Sequence, residues 1–150
     1  MRKRILALAF AALMVIRAVG QDATVMATVQ RFVDAFNKGD IKTVVAVCAE
    51  QTSIIDEFPP YQWHGPSGCY KWMNDYDADA KKNGITDGVV TLGAPRHVDI
   101  DGDRAYVVVP ADYAFKQKGK PVTETGSTIT LVLRGREAGW HIAAWTWSKN

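Results

Sequence analysis

Apolar residues recur at Val25, Val29, Phe32, Val33 and Phe36, the three-to-four-residue spacing of one helix face. The run predicts a helix that Gly39 stops, because glycine enters the left-handed conformation at no steric cost. Asp40 is placed to cap the next helix, whose buried stripe is Ile41, Val44, Val45 and Cys48, with Lys42 and Thr43 turned outward. Residues 52–56 then read as a strand ending on Asp56, and Pro59-Pro60 ends regular structure by removing two backbone donors in succession. The following PPYQWHG reads as a loop. Gly65-Pro66 restarts a helix with proline at its first position, and Cys69, Trp72, Met73, Tyr76 and Ala80 form its apolar face up to Asn83-Gly84.

Beyond Gly88 everything has strand character. Four strands are expected over residues 89–99, 104–115, 122–134 and 140–148, parted by turn chemistry at Asp101-Gly102, at Lys118-Gly119 and from Gly135 to Gly139. Consecutive hairpins beside three helices predict an α+β fold, a curved antiparallel sheet with the helices laid against one face. In the last strand, parity separates Trp140, Ile142, Ala144 and Thr146 from His141, Ala143, Trp145 and Trp147, and alternation alone does not say which set faces inward.

The first residues change the reading of charge. MRKR followed by the 12-residue apolar run ILALAFAALMVI has the form of a secretory signal peptide and is too short to span a bilayer. The small residues Ala18-Val19-Gly20 place the cut after Gly20, leaving one domain over residues 21–150, periplasmic or secreted and without a membrane segment. Removing Arg2, Lys3, Arg4 and Arg17 turns a formal charge of +2 into 14 basic against 16 acidic groups. Nucleic-acid binding is thereby excluded, since phosphate contacts need clustered basic residues and Lys116, Lys118 and Lys120 read as a solvated hairpin tip. Export also puts Cys48 and Cys69 where disulfides persist; they either form a bridge or pack as small hydrophobes, and their spacing fits neither a zinc nor a redox motif.

The helix, the break NKGD, the short helix, the strand ending on Asp56, the loop closing on His64-Gly65, the third helix and the final WHIAAWTWS together resemble the nuclear transport factor 2-like superfamily. Within it the chain is most similar to SnoaL-like proteins and steroid isomerases. The resemblance implies that the sheet forms a cone with the helices on its concave face, that Asp56 occupies the place of a proton-shuttling aspartate, and that Trp145 and Trp147 line the cone. It also implies that Phe32 stands where those isomerases present a tyrosine hydroxyl, and that residues 128–130 stand about where they keep a protonated aspartic acid. Without those donors, steroid isomerisation by that route is not expected.

Asp56 reads either as a general base in an apolar pocket or as the cap of the turn into Glu57. His64 is a titratable group on the rim of the cone or a turn partner, and Tyr61 is a further polar candidate. Phe32, Phe36, Trp63, Trp72, Tyr76, Tyr113, Trp145 and Trp147 are rings suited to lining a pocket for a flat apolar ligand, or to packing the core. His97 and His141 read as surface or packing residues. Asp112 and Glu124 read as solvated sheet-edge charges or as paired acids across a hairpin. No metal spacing, nucleophile elbow or phosphate loop occurs, and no cofactor is implied. Three functional expectations follow: an exported protein binding a small, largely apolar molecule, with a homodimer as a further option; a cofactor-independent isomerase or dehydratase using Asp56; or a dimerising interaction module whose cone is vestigial.

Overall fold

A computed structural model describes the backbone of residues 2–136 and 138–150 and the side chains of these from residue 20 on. The side chains on which the signal-peptide reading rests lie outside the described residues. The elements run α1 (Arg2–Asn37), α2 (Ile41–Val47), β1 (Cys48–Ile55), β2 (Gln62–Pro66), α3 (Gly68–Asn83), β3 (Ile85–Leu92), β4 (His97–Asp101), β5 (Arg104–Gln117), β6 (Lys120–Arg136) and β7 (Gly139–Ser148). The fold is α+β, as the pattern predicts.

Local chemistry fixes the helical break. Asp40 N–H donates to Ala35 C=O and Gly39 N–H to Phe36 C=O, closing α1 in the pattern that a left-handed residue allows, and Gly39 has φ +65°. The Asp40 carboxylate then accepts from Thr43 N–H at 3.0 Å and starts α2. This close coupling of two helix ends buries Val25, Val29, Phe32 and Val33 of α1 together with Val44 and Val47 of α2 against the sheet. Their partners in that core include Val107 and Val109 of β5, Leu131 and Leu133 of β6 and Ile142 of β7.

The sheet has seven strands in the order β2-β1-β7-β6-β5-β3, with β4 also paired to β5. Every pairing is antiparallel except β1 with β7, which is parallel. Four local expectations are corrected. Cys48 begins β1 and does not sit inside the second helix. The expected loop contains β2, which pairs with β1 from Gln51↔Pro66 to Ile55↔Gln62, so Pro66 closes a strand at the sheet edge and α3 starts after Ser67. An edge strand tolerates proline because one side of it has no ladder to serve. The single strand expected over residues 89–99 is two strands, because the chain around Pro95 loops out between Leu92↔Ala111 and His97↔Val108.

Bulges reset the side-chain parity. On β7, Val132 pairs with Ala144 and Leu133 with Ile142, so Ala143 is an extra residue. Ile142 therefore faces the core from one parity set and Trp145 from the other. Trp147 lies opposite Ile129 on the same inner face as Trp145 opposite Leu131.

β1 and α3 are joined covalently by a Cys48–Cys69 disulfide with Cα atoms 6.5 Å apart. Beside it, a Cβ on Gly68 would lie 2.8 Å from Thr52 C=O, so α3 starts in backbone contact with β1. Reduction is expected to lower unfolding stability by about 3 kcal/mol through the longer free loop of the unfolded chain. Urea titrations with and without reductant check this; identical midpoints would mean that the bridge adds nothing.

Candidate functional site

The concave face and the helices leave a cleft of about 510 Å³ of empty volume, counting its open mouth. Each element contributes. α1 supplies Phe32, Val33 and Phe36; the turn after β1 supplies Asp56, Glu57 and Phe58; α3 supplies Trp72 and Tyr76. The sheet supplies Val90, Tyr113, Ile129, Trp145 and Trp147. The rings lock one another: Trp72 meets Trp145 edge-on at 4.8 Å between centroids, and Phe36 meets Tyr76 at 4.9 Å.

Asp56 is the polar centre of this apolar space. Its Oδ2 accepts from the Trp72 indole N–H at 2.7 Å, and its Oδ1 accepts from Glu57 N–H at 2.7 Å. Burial pushes its pKa up to about 6, while these two bonds favour the anion and hold the rise in check. Asp56 thus caps the turn with one oxygen and bonds the Trp72 indole in the cleft with the other.

A charged cluster stands at the mouth. Lys149 Nζ lies 2.8 Å from Glu57 Oε2 and 2.9 Å from Glu124 Oε1. Burial raises the Glu57 pKa to about 7, opposed by Lys149 and assisted by Glu124. Glu124 reaches this place through a second bulge: β5 and β6 shift register between Ala111↔Ser127 and Tyr113↔Glu124, which turns Glu124 to the Tyr113 side of the sheet. The sheet-edge reading of Glu124 is corrected accordingly, whereas Asp112 stays exposed and accepts from Gly126 N–H at 3.0 Å. Glu57 and Lys149 escape sequence reasoning and Glu124 is misplaced by it, because their positions depend on a turn, on the exit from β7 and on a bulge.

Three candidates lie away from the cleft. Tyr61 is 57% exposed. His64 sits exposed on β2 with Nδ1 2.7 Å from Ser53 Oγ, because the segment is a strand and not a loop over the rim. Trp63 is buried behind the lining, where its indole donates to Asp75 at 2.8 Å and its ring packs on Phe58. Phe32, Phe36, Trp72, Tyr76, Tyr113, Trp145 and Trp147 do come together around Asp56. The indole N–H groups of Trp145 and Trp147 are closed off from solvent and have no acceptor among the described residues.

The SnoaL-like domain matches residues 25–149. The chain belongs to that family. No protein of curated function matches it. Among solved structures, this SnoaL-like chain is similar to an NTF2-like protein with a cystatin-like fold from Novosphingobium aromaticivorans (TM-score 0.73, 14% identity, 92% of this chain and 87% of that one). It is also similar to a ketosteroid isomerase-like protein from Erwinia carotovora atroseptica (TM-score 0.64, 19% identity, 85% and 94%). A third is the hexachlorocyclohexane dehydrochlorinase LinA-type3 from Novosphingobium barchaimii (TM-score 0.74, 10% identity, 90% and 90%). At these identities the SnoaL-like chain shares the fold of these proteins, and the chemistry has to be argued from its own cleft.

The carboxylates of this site have a thermodynamic consequence. Asp56 at about 6 and Glu57 at about 7 lie above their ordinary values of 3.8 and 4.5, so the folded chain holds protons that the unfolded chain has released. Their contribution to stability is complete below about pH 4 and is lost as pH rises through 6 to 7. Asp56 accounts for up to about 3 kcal/mol of this loss. Chemical denaturation from pH 4 to 8 should show wild type losing stability relative to Asp56→Asn over that window; parallel curves would contradict the buried, proton-holding carboxylate.

Proposed function

We propose that the protein binds a small, flat, largely apolar molecule in the cleft and that Asp56 removes a proton from it, in a cofactor-independent elimination or isomerisation. The observation that carries this reading is Asp56 itself, a carboxylate buried among aromatic rings with both oxygens fixed and a pKa near 6. A base of that strength is ionised at neutral pH yet holds a proton better than a solvated carboxylate, which suits general-base work. Aromatic walls supply binding area, and Phe32 and Phe36 pack on Trp72, whose indole bonds the buried carboxylate.

Export belongs to the same proposal. The Cys48–Cys69 bridge supports a periplasmic or secreted location, because such bonds persist in oxidising compartments. A second reading, binding without turnover, is favoured by the Asp56–Glu57 turn bond, which gives the carboxylate a structural task of its own.

Nitrobenzisoxazole separates the two readings. This flat aromatic loses a ring proton to a base as its N–O bond opens, giving a coloured cyanonitrophenolate. Wild type is expected to turn it over with an acid limb centred near pH 6, and Asp56→Asn to lower kcat/KM about 100-fold or more. Equal rates for the two proteins would reject the base. Native mass spectrometry of the purified protein checks the binding reading, with a small molecule retained by wild type and by Asp56→Asn alike.

A further inference from the structure

Two hydroxyls share the cleft with Asp56. Tyr76 Oη on α3 and Tyr113 Oη on β5 lie 2.5 Å apart, and they are the hydroxyl groups among the residues lining the cleft. Two hydroxyls bonded to each other hold two protons and use one between them. The tyrosine that accepts keeps its own O–H free to donate elsewhere, and its donor strength is increased by the bond it is part of. Both hydroxyls are held protonated by burial, Tyr113 most strongly, so the pair is a neutral donor and not a second base.

The chain makes room for this pair. β3 shifts register between Thr86↔Lys116 and Val89↔Ala114, and the bulge falls on Asp87-Gly88, with Asp87 at φ 57°. A non-glycine residue in that left-handed conformation stores backbone strain. A Cβ on Gly88 would lie 2.7 Å from Tyr113 Oη and 2.9 Å from Tyr76 Oη, closer than a carbon tolerates. Gly88 is thus backbone pressed against two hydroxyl oxygens, and only a residue without a side chain leaves them together.

α3 sets the pair relative to the base. Trp72, which binds Asp56, and Tyr76 are four residues apart, one turn of the helix or about 6 Å along its axis. Asp56, Tyr76 and Tyr113 line the same cleft, so one ligand there can meet the base and the hydroxyl pair together. Resting on the proposed proton removal by Asp56, we propose that the Tyr76–Tyr113 hydroxyl pair, seated against Gly88, is the electrophilic half of the site and donates to the ligand oxygen that gathers negative charge. With nitrobenzisoxazole the step balances: the Asp56 carboxylate takes the ring proton, the C–H electron pair completes a nitrile, the N–O bond breaks, and the electrons left on oxygen form the phenolate that accepts from the tyrosine. Tyr76 and Tyr113 are catalytic residues in this scheme, and Gly88 is a positioning residue. The ligand class is narrowed to flat molecules carrying an oxygen that becomes anionic.

The test is binding of the cyanonitrophenolate product at pH 5, where Asp56 is largely neutral and this acidic phenol stays ionised, read from its visible absorbance. Tyr76→Phe and Tyr113→Phe keep the rings and should each weaken binding about 10-fold or more, since a hydrogen bond to a charged acceptor is lost. Gly88→Ala should weaken it as well, by parting the hydroxyls, while Asp56→Asn should leave it unchanged or tighter. In turnover, both Phe variants should lower kcat and keep the acid limb near pH 6. Absent phenolate binding by wild type, or wild-type affinity in both Phe variants, would overturn the assignment. Because phenolate binding does not call on the base, a failure of Asp56 as base would leave this result standing, and the converse holds.

Discussion

The bond from the Trp72 indole to Asp56 decides whether a carboxylate can exist inside this cleft. Burial alone drives an acid toward its neutral form, and an unpaired buried anion costs several kcal/mol. At the end of β1 the indole N–H and the Glu57 amide recover part of that cost, so the group stays titratable in the neutral range. The bond needs α3 at the right height above β1. That height is set by the Cys48–Cys69 bridge and by the contact of Gly68 with Thr52, one turn before Trp72. The same helix then carries Tyr76 to Tyr113 one turn later, so base and hydroxyl pair are positioned by one seam between a helix and a strand.

Irregular backbone surrounds the cleft on the sheet side. Bulges at Asp87-Gly88 on β3, at residues 125–126 on β6 and at Ala143 on β7 place the tyrosine pair, Glu124 and the two indoles respectively. In a regular sheet strict alternation would put Ile142 and Trp145 on opposite faces. A curved sheet that must present both a packed core and a lined pocket needs such breaks, and they cluster at the pocket end.

These breaks also mark how far the sequence could be read. The NKGD break, the helix faces and the hairpin turns were legible because caps and turns are chemistry between near neighbours, as Asp40 with Thr43 illustrates. The place of Asp56 and of seven of the eight candidate rings at the cleft followed from fold resemblance and ring count. Trp63 did not, because its place depends on β2, a strand whose apolar pattern is too short to distinguish from a loop. Trp145 and Trp147 could be put on a face only by resemblance, since one extra residue at Ala143 inverts parity and leaves no mark in composition. Pairing of Cys48 with Cys69 hinged on a helix-to-strand distance that periodicity does not contain. Lys149 had no signal at all.

The central claim is that the cleft holds a carboxylate balanced between burial and two hydrogen bonds. Carbon-detected NMR of the Asp56 side-chain carboxyl across pH 3 to 9 measures that balance directly. A midpoint near 6 is predicted, rising further in Trp72→Phe, where the bond that favours the anion is gone. A midpoint at or below the ordinary 3.8, or one that Trp72→Phe leaves in place, would contradict the account.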